Sequence, residues 1–147
     1  MKKYKFSLAR VLRVRKIQET LRLVEQNRAE RALKAQQQKL DMFTTERDVQ
    51  CQAMEVAMLQ PFKIADKHTD WKYLQRIDRI VGFQRGVVTE YSKHEREARQ
   101  RFMIARQRSL SLEKLGEKHR EAWSRELIEF EQKLADDRPR KTGRDKQ

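Results

Sequence analysis

A heptad repeat in the second half of the chain restricts its fold more than any other feature. Two positions of each heptad carry mostly apolar or small residues for over five heptads, as far as Gly116. The first position holds Leu74, Val81, Val88, Glu95, Phe102, Ser109, Gly116, Trp123 and Phe130, and the second holds Ile77, Gln84, Tyr91, Ala98, Ala105, Leu112, His119, Glu126 and Lys133. A repeat of this length indicates a left-handed coiled coil rather than a lone surface helix.

The first half of the chain has a similar but less regular pattern. One set of apolar residues steps by three and four, and a second set resumes in another phase: Val14, Ile17, Leu21 and Val24, then Leu40, Phe43, Met54 and Ala57. Small residues between Ala29 and Ala35 separate the two sets. The sequence therefore predicts a register shift there, with a close approach of two helices.

The stretch QPFKIADKHTDW interrupts both helical patterns. Pro61 cannot continue a helix, and Asp66, Thr69 or Asp70 could cap the next one. We therefore expect helix one over about residues 5–59, a turn over about 60–66 and helix two over about 67–137. Two long helices joined by a short turn fold back on each other.

The predicted fold class is all-α. Residues 1–138 form a long two-helix antiparallel coiled-coil hairpin, and residues 139–147 form a basic, disordered and flexible C-terminal tail. At 1.5 Å per residue, helix one spans roughly 80 Å and helix two roughly 105 Å, so helix two overhangs helix one by about a dozen residues.

Composition agrees with a helix pair better than with a compact domain. Charged residues make up 39% of the chain and hydrophobic residues 37%, with only 4 Gly and 2 Pro. A helix pair buries only a narrow strip and needs fewer apolar side chains than a compact core. Disorder is the competing interpretation for so polar a chain. The regular spacing of the apolar residues argues against it.

The net charge of +13 is concentrated at the two ends of the chain. Residues 1–39 carry +9, residues 40–95 carry −1 and residues 96–147 carry +5. Such a distribution suggests an acidic partner, which could be a protein, a nucleic acid or an anionic membrane surface. Basic side chains also simply solvate the outer face of a coiled coil, so the charge alone does not choose among these alternatives.

The sequence contains no arrangement typical of an enzyme. His68, His94 and His119 are far apart, Cys51 has no second cysteine, and no glycine-rich phosphate loop is present. We therefore expect no catalytic site, metal, cofactor or small-molecule substrate. The lone cysteine and the absence of an apolar run long enough for a membrane span or a secretory signal favour the cytoplasm.

Residues near the turn are unusually apolar, and a two-helix strip cannot bury them all. They are Met54, Met58, Leu59, Pro61, Phe62, Ile64, Trp71, Tyr73, Leu74, Ile77, Ile80, Val81 and Phe83. Tyr73, Ile80 and Phe83 lie off the heptad core positions. The group is either a small cluster that caps the turn or an exposed patch for a protein partner.

Two stretches of the sequence resemble the family of the flagellar export protein FliJ. The segments EKLGEKHREAW and EFEQKLADD match its C-terminal signature at Glu113, Lys114, Leu115, Glu117, Arg120, Glu121, Glu126, Glu131, Gln132, Lys133, Asp136 and Asp137. The basic leader is also similar, at Phe6, Leu8, Val11, Leu12 and Arg15. Gly116 and Trp123 are not typical of the family.

The resemblance implies a cytoplasmic stalk and adaptor of the flagellar type III export apparatus. It would bind the hexameric export ATPase and the cytoplasmic part of the export-gate membrane protein, escort export chaperones, and lie at the inner face of the membrane at the flagellar base. The residues expected to contact the ATPase ring are Arg10, Arg13, Arg15, Lys16, Arg120 and Arg125. Those expected to contact the gate are Trp71, Leu74, Ile77 and Val81.

Three alternatives remain open at this stage. The first is the equivalent stalk protein of a virulence type III secretion system. The second is a nucleic-acid-binding basic coiled coil, whose binding would depend steeply on salt. The third is a membrane-surface adaptor that uses residues 1–16, where seven Lys and Arg mix with apolar side chains and no acid.

Overall fold

The computed structural model describes residues 3–137, which form two α-helices and no strand. Helix α1 spans Ala9–Met58 and helix α2 spans Ile64–Asp136. The all-α class and the antiparallel pairing of two long helices are confirmed. The predicted tail, residues 139–147, lies outside the described residues.

The described chain divides into two compact units, which we treat separately. The terminal unit holds residues 3–19 and 105–137, and the turn unit holds residues 20–104. Each unit contains part of α1 and part of α2.

The bounds of the helices follow from proline and from the available carbonyl groups. The 50 residues of α1 include neither Gly nor Pro. After Met58, the amides of Leu59 and Gln60 close a last tight turn on Val56 and Ala57, and Pro61 then prevents continuation. Helix α2 begins at Ile64, earlier than predicted, because the carbonyl of Lys63 already accepts the amides of Asp66 and Lys67.

Helix α1 begins at Ala9 rather than near residue 5. Of the described residues before it, 3–6 have no regular secondary structure and 7–8 form a turn, and exposed side chains alternate with half-buried ones from Lys3 to Leu8. The amide of Ala9 bonds the carbonyl of Phe6 at 3.2 Å, which turns the chain into α1. Packing of Tyr4 and Phe6 on α2 holds this segment out of the helix.

In the turn unit, α1 and α2 run antiparallel and bury or half-bury the predicted heptad positions of α2, except Tyr91, which is 36% exposed. Tyr73 donates a hydrogen bond to Glu46, and Gln84 donates one to Gln36. The residue number of the partner on α1 therefore decreases as that on α2 increases, as it does between antiparallel helices. The buried side chains of this unit are Met54, Ile77, Val81, Gln84, Glu95 and Ala98. Every one of the five on α2 occupies a predicted heptad position.

Polar side chains occupy several buried places in this strip. The amide nitrogen of Gln84 donates to both the backbone carbonyl of Gln36, at 3.1 Å, and its side-chain oxygen, at 2.9 Å. Glu95 is 6% exposed, and Arg99 of the same helix lies 2.8 Å from its Oε1. The Oε1 atom of Gln26 is buried and accepts no hydrogen bond from the described residues. The helices therefore pack through a mixed rather than a purely apolar strip.

The packing face of α1 includes the second predicted set, Leu40, Phe43, Met54 and Ala57, but not the first set. In the turn unit it runs by steps of three and four through Gln26, Ala29, Leu33, Gln36, Leu40, Phe43, Arg47, Gln50, Met54 and Ala57. Leu21 and Val24 are 59% and 43% exposed, and in the terminal unit Val14 and Ile17 are 53% and 55% exposed. The predicted core role of these four residues, and the register shift, are wrong. Leu40, Leu33 and Gln26 are each seven residues apart and lie on the same face of α1. This face packs toward α2 even at Gln26, which is polar.

The pair of Gln84 and Gln36 makes a testable contribution to stability. Gln84→Ala leaves the Gln36 oxygen without its donor and is expected to lower the free energy of unfolding by about 1–3 kcal/mol. Replacing both glutamines by leucine removes both polar partners together, so the double variant should recover most of that loss. Chemical denaturation followed by circular dichroism measures these changes.

Gln38→Ala is the control, because Gln38 is an exposed glutamine on α1, two residues after Gln36. A surface change of this kind shifts stability by about 0.5 kcal/mol or less. Equal destabilisation by Gln84→Ala and Gln38→Ala would show that the buried hydrogen bonds contribute nothing.

Candidate interaction surfaces

Four aromatic side chains join residues 3–8 of the terminal unit to α2. We call them the aromatic clasp: Tyr4, Phe6, His119 and Trp123. The Tyr4 hydroxyl donates to the Gly116 carbonyl at 3.0 Å. The Tyr4 and Trp123 ring centroids are 5.7 Å apart, and Phe6 meets His119 edge to face at 5.8 Å. Such pairs add about 0.5–1.5 kcal/mol each beyond the area that they bury.

Gly116 makes room for this clasp. A Cβ atom added there would lie 3.4 to 3.6 Å from three carbon atoms of the Phe6 ring. Phe6 therefore packs directly on the bare backbone of α2, and any side chain longer than a methyl group would displace it. Glycine costs about 1 kcal/mol inside a helix, and the packing of Phe6 offsets part of that cost.

The sequence analysis missed the clasp, although the local signal was present. Lysine, serine and aromatic or aliphatic residues alternate strictly in KYKFSL, residues 3–8. A period of two is typical of an extended segment with one buried face. Lys3 and Lys5 consequently lie on the exposed side, next to the clasp.

The residues predicted to contact the ATPase ring all lie in the terminal unit but differ in availability. Four of them, Arg10, Arg13, Arg120 and Arg125, are exposed and form no ion pair among residues 3–137. Arg15 is half-buried, and its guanidinium group donates to Gln18.

Lys16 differs from these arginines because it is engaged within the unit. Its Nζ lies 2.6 Å from Glu113 Oε1. The hydrogen bond and the negative charge of Glu113 raise the pKa of Lys16 above its usual value. The ammonium group therefore joins α1 to α2 at this point.

The apolar residues around the turn are exposed. Leu59 is 86% exposed, Ile64 82% and Phe62 51%, and the ammonium group of Lys67 lies over the Phe62 ring at 5.3 Å from its centroid. An open groove on α1 is lined by Val49, Gln52, Ala53, Val56, Ala57 and Gln60. These exposures favour the patch for a partner over the cluster that caps the turn.

The residues predicted to contact the gate divide between surface and core. Trp71 is 52% exposed and Leu74 is half-buried. Ile77 and Val81 are only 4% and 1% exposed, because they pack against α1. A partner that binds the closed helix pair can reach Trp71 but not Ile77 or Val81.

The described chain contains no built metal centre or membrane span. No group of three His, Cys, Asp or Glu side chains between residues 3 and 137 is arranged to hold a metal ion. Neither helix includes an apolar window of the length and hydropathy that crossing a bilayer requires.

The comparison with known families covers both units. A family model described as Flagellar FliJ protein matches residues 4–145, nearly the whole chain. The chain belongs to the FliJ family. No curated protein and no solved structure matches it.

Membership of the FliJ family makes this a flagellar export-associated protein from a non-catalytic family. The matched range includes the exposed arginines, the aromatic clasp from Tyr4 to Trp123, and the apolar residues around the turn. Both candidate surfaces therefore belong to the family domain and not to an appended segment.

The aromatic clasp can be tested by fluorescence, because the chain has only 2 Trp. In a Trp71→Phe background, Trp123 is the sole reporter. Removing its neighbour by Tyr4→Ala should shift Trp123 emission to longer wavelength and increase quenching by iodide, while helix content stays the same.

Ser7→Ala in the same background is the control, since Ser7 is exposed in the same segment. It should leave the emission unchanged. Identical spectra for Tyr4→Ala and Ser7→Ala would mean that the segment does not cover Trp123 in solution.

Proposed function

We propose that this FliJ family protein is a stalk and adaptor of the flagellar type III export apparatus, which links the export ATPase ring to the export gate and escorts export chaperones. The match of one family model to residues 4–145 carries the proposal. In the same proposal the protein acts in the cytoplasm and associates peripherally with the membrane at the flagellar base. It requires no cofactor.

The ATPase ring is the proposed partner of the terminal unit. Arg10, Arg13, Arg120 and Arg125 are exposed there, with Lys3 and Lys5 beside them. Exposed cations attract an acidic surface over several ångströms but bind it through contacts that are individually weak. A contact of this kind holds a stalk in a ring without fixing it to one orientation. Arg15 and Lys16 support this contact indirectly, because they bind Gln18 and Glu113 of the same unit.

The export gate is the proposed partner of the exposed residues near the turn. Trp71 is the best anchor among the predicted gate residues, because it is aromatic, half exposed and carried on a helix. Leu74 extends the same region. Ile77 and Val81 act indirectly, since their packing on α1 fixes the position of the α2 segment that presents Trp71.

Charge reversal of two exposed arginines tests the ring contact. Arg10→Glu combined with Arg13→Glu should weaken binding to the export ATPase of the same organism by about tenfold or more at physiological salt. Stimulation of ATP hydrolysis should fall with it. Co-elution of the complex and an ATPase assay measure both effects.

Lys34→Glu combined with Lys39→Glu is the matched control. Both lysines are exposed on α1 in the turn unit, and the change in net charge is the same. Equal loss in the two double variants would indicate a response to total charge rather than a defined contact. No ATPase binding by the natural protein, with nucleic acid co-purifying instead, would replace the proposal by the nucleic-acid alternative.

Trp71→Ala tests the gate contact. It should reduce capture of the cytoplasmic part of the gate protein by about tenfold. The melting temperature should change little, because Trp71 is 52% exposed. Met103→Ala, which removes another exposed apolar side chain of α2 in the same unit but far from the turn, is the control. Unchanged capture by Trp71→Ala would remove Trp71 from the contact.

A further inference from the structure

A second face of α2 in the turn unit carries an exposed aromatic residue that no part of the described chain covers. Phe83 is 75% exposed in the middle of the helix, well away from either end. Ile80 and Val87 are half-buried and lie three residues before and four residues after it, which makes them its neighbours on the helix surface. Together they form an apolar stripe beside the buried strip.

Two glycines leave the backbone bare next to Phe83. A Cβ atom added at Gly82 or at Gly86 would meet nothing within 4 Å. Internal packing therefore gives no reason for glycine at either position, although glycine lowers the stability of a helix interior relative to alanine. Gly116 is different, because the Phe6 ring occupies the space beside it. A bare helix surface allows another backbone to approach closely.

The same face is basic. Helix geometry places Lys72, Arg76 and Arg79 within about 40° of Phe83 around the helix axis. All three are exposed, and none forms an ion pair with an acidic side chain among residues 3–137. Between residues 72 and 90, Glu90 is the acidic residue at a similar angle, so three cations face outward against one anion over this stretch.

We propose that this face, which we call the Phe83 face, binds an acidic amphipathic helix of a partner protein. An apolar residue of the partner helix would pack on Phe83 and the bare backbone at Gly86, and its carboxylates would meet Lys72, Arg76 and Arg79. Charge decides the choice of occupant, because a second copy of this chain would bring three cations against three cations, with one anion on each side. The apolar stripe and the bare backbone favour a protein helix over a nucleic acid.

The Phe83 face goes beyond the proposed gate contact. Phe83 follows Trp71 by twelve residues, which corresponds to about 120° around the helix. The two side chains therefore lie on different faces of α2, and one partner can be lost without the other.

A library of phage-displayed helical peptides with randomised surface residues is a suitable probe. Selection on the natural protein should enrich peptides in which acidic residues flank an apolar stripe at helical spacing. Their affinity should fall by about tenfold or more for Phe83→Ser. It should also fall for Gly86→Leu, which fills the bare backbone surface and favours the helix, so loss of folding does not explain the effect.

Met42→Ser is the control, because Met42 is a 59% exposed apolar residue of the same unit on the other helix. Peptides without acidic enrichment, or peptides that bind Phe83→Ser as tightly as the natural protein, would overturn the proposal. So would a dimer in sedimentation that Phe83→Ser dissociates, or an oligonucleotide complex that the same substitution abolishes. ATPase binding by Phe83→Ser should be unchanged, which separates this test from that of the proposed function.

Discussion

The narrow contact between α1 and α2 is the constraint on which the other features of the molecule depend. Each helix can bury only about two positions per heptad against one partner. Val81 and Ile77 occupy such positions, whereas Phe83 and Leu59 cannot, whatever their hydrophobicity. Large apolar side chains that a compact domain would enclose therefore remain on the surface of a helix pair. Where such side chains are neighbours, they form apolar patches of the kind that is typical of protein-binding surfaces.

Polar residues in the contact strip determine how the helices are aligned more than how tightly they are held. Gln84 satisfies its amide only where Gln36 offers both a carbonyl and a side-chain oxygen. Sliding one helix by a turn would leave that amide buried without a partner, which costs about 1–3 kcal/mol. Glu95 does not contribute to this choice of alignment, because its ion-pair partner Arg99 lies on the same helix and moves with it. A helix pair that is to act as the proposed stalk needs one alignment, and the pair of Gln84 and Gln36 favours one.

The sequence predicted the helices, their pairing and the buried positions of α2, because a strict repeat can be satisfied by only one face. It failed for the first part of α1, where two faces compete. Val14 and Ile17 form a regular apolar row, but the strip that leads back from Leu40 through Gln36 and Gln26 is only partly apolar and lies toward α2. The clasp joins Tyr4 to Gly116 across 112 positions, so local periodicity could show the extended segment but not its partner. The four predicted gate residues were all taken from the family resemblance. That resemblance does not distinguish an exposed residue such as Trp71 from a buried one such as Ile77.

The glycines of α2 connect the internal packing to the proposed external contact. Each of the three costs about 1 kcal/mol in a helix interior, so each calls for a compensating contact. At Gly116 that contact is visible, since the Phe6 ring rests where a side chain would stand. At Gly82 and Gly86 the same bare backbone faces open space, with Phe83 beside it and cations along the face. What Phe6 does for Gly116 from within the chain, an apolar residue of an acidic partner helix can do for Gly86 from outside.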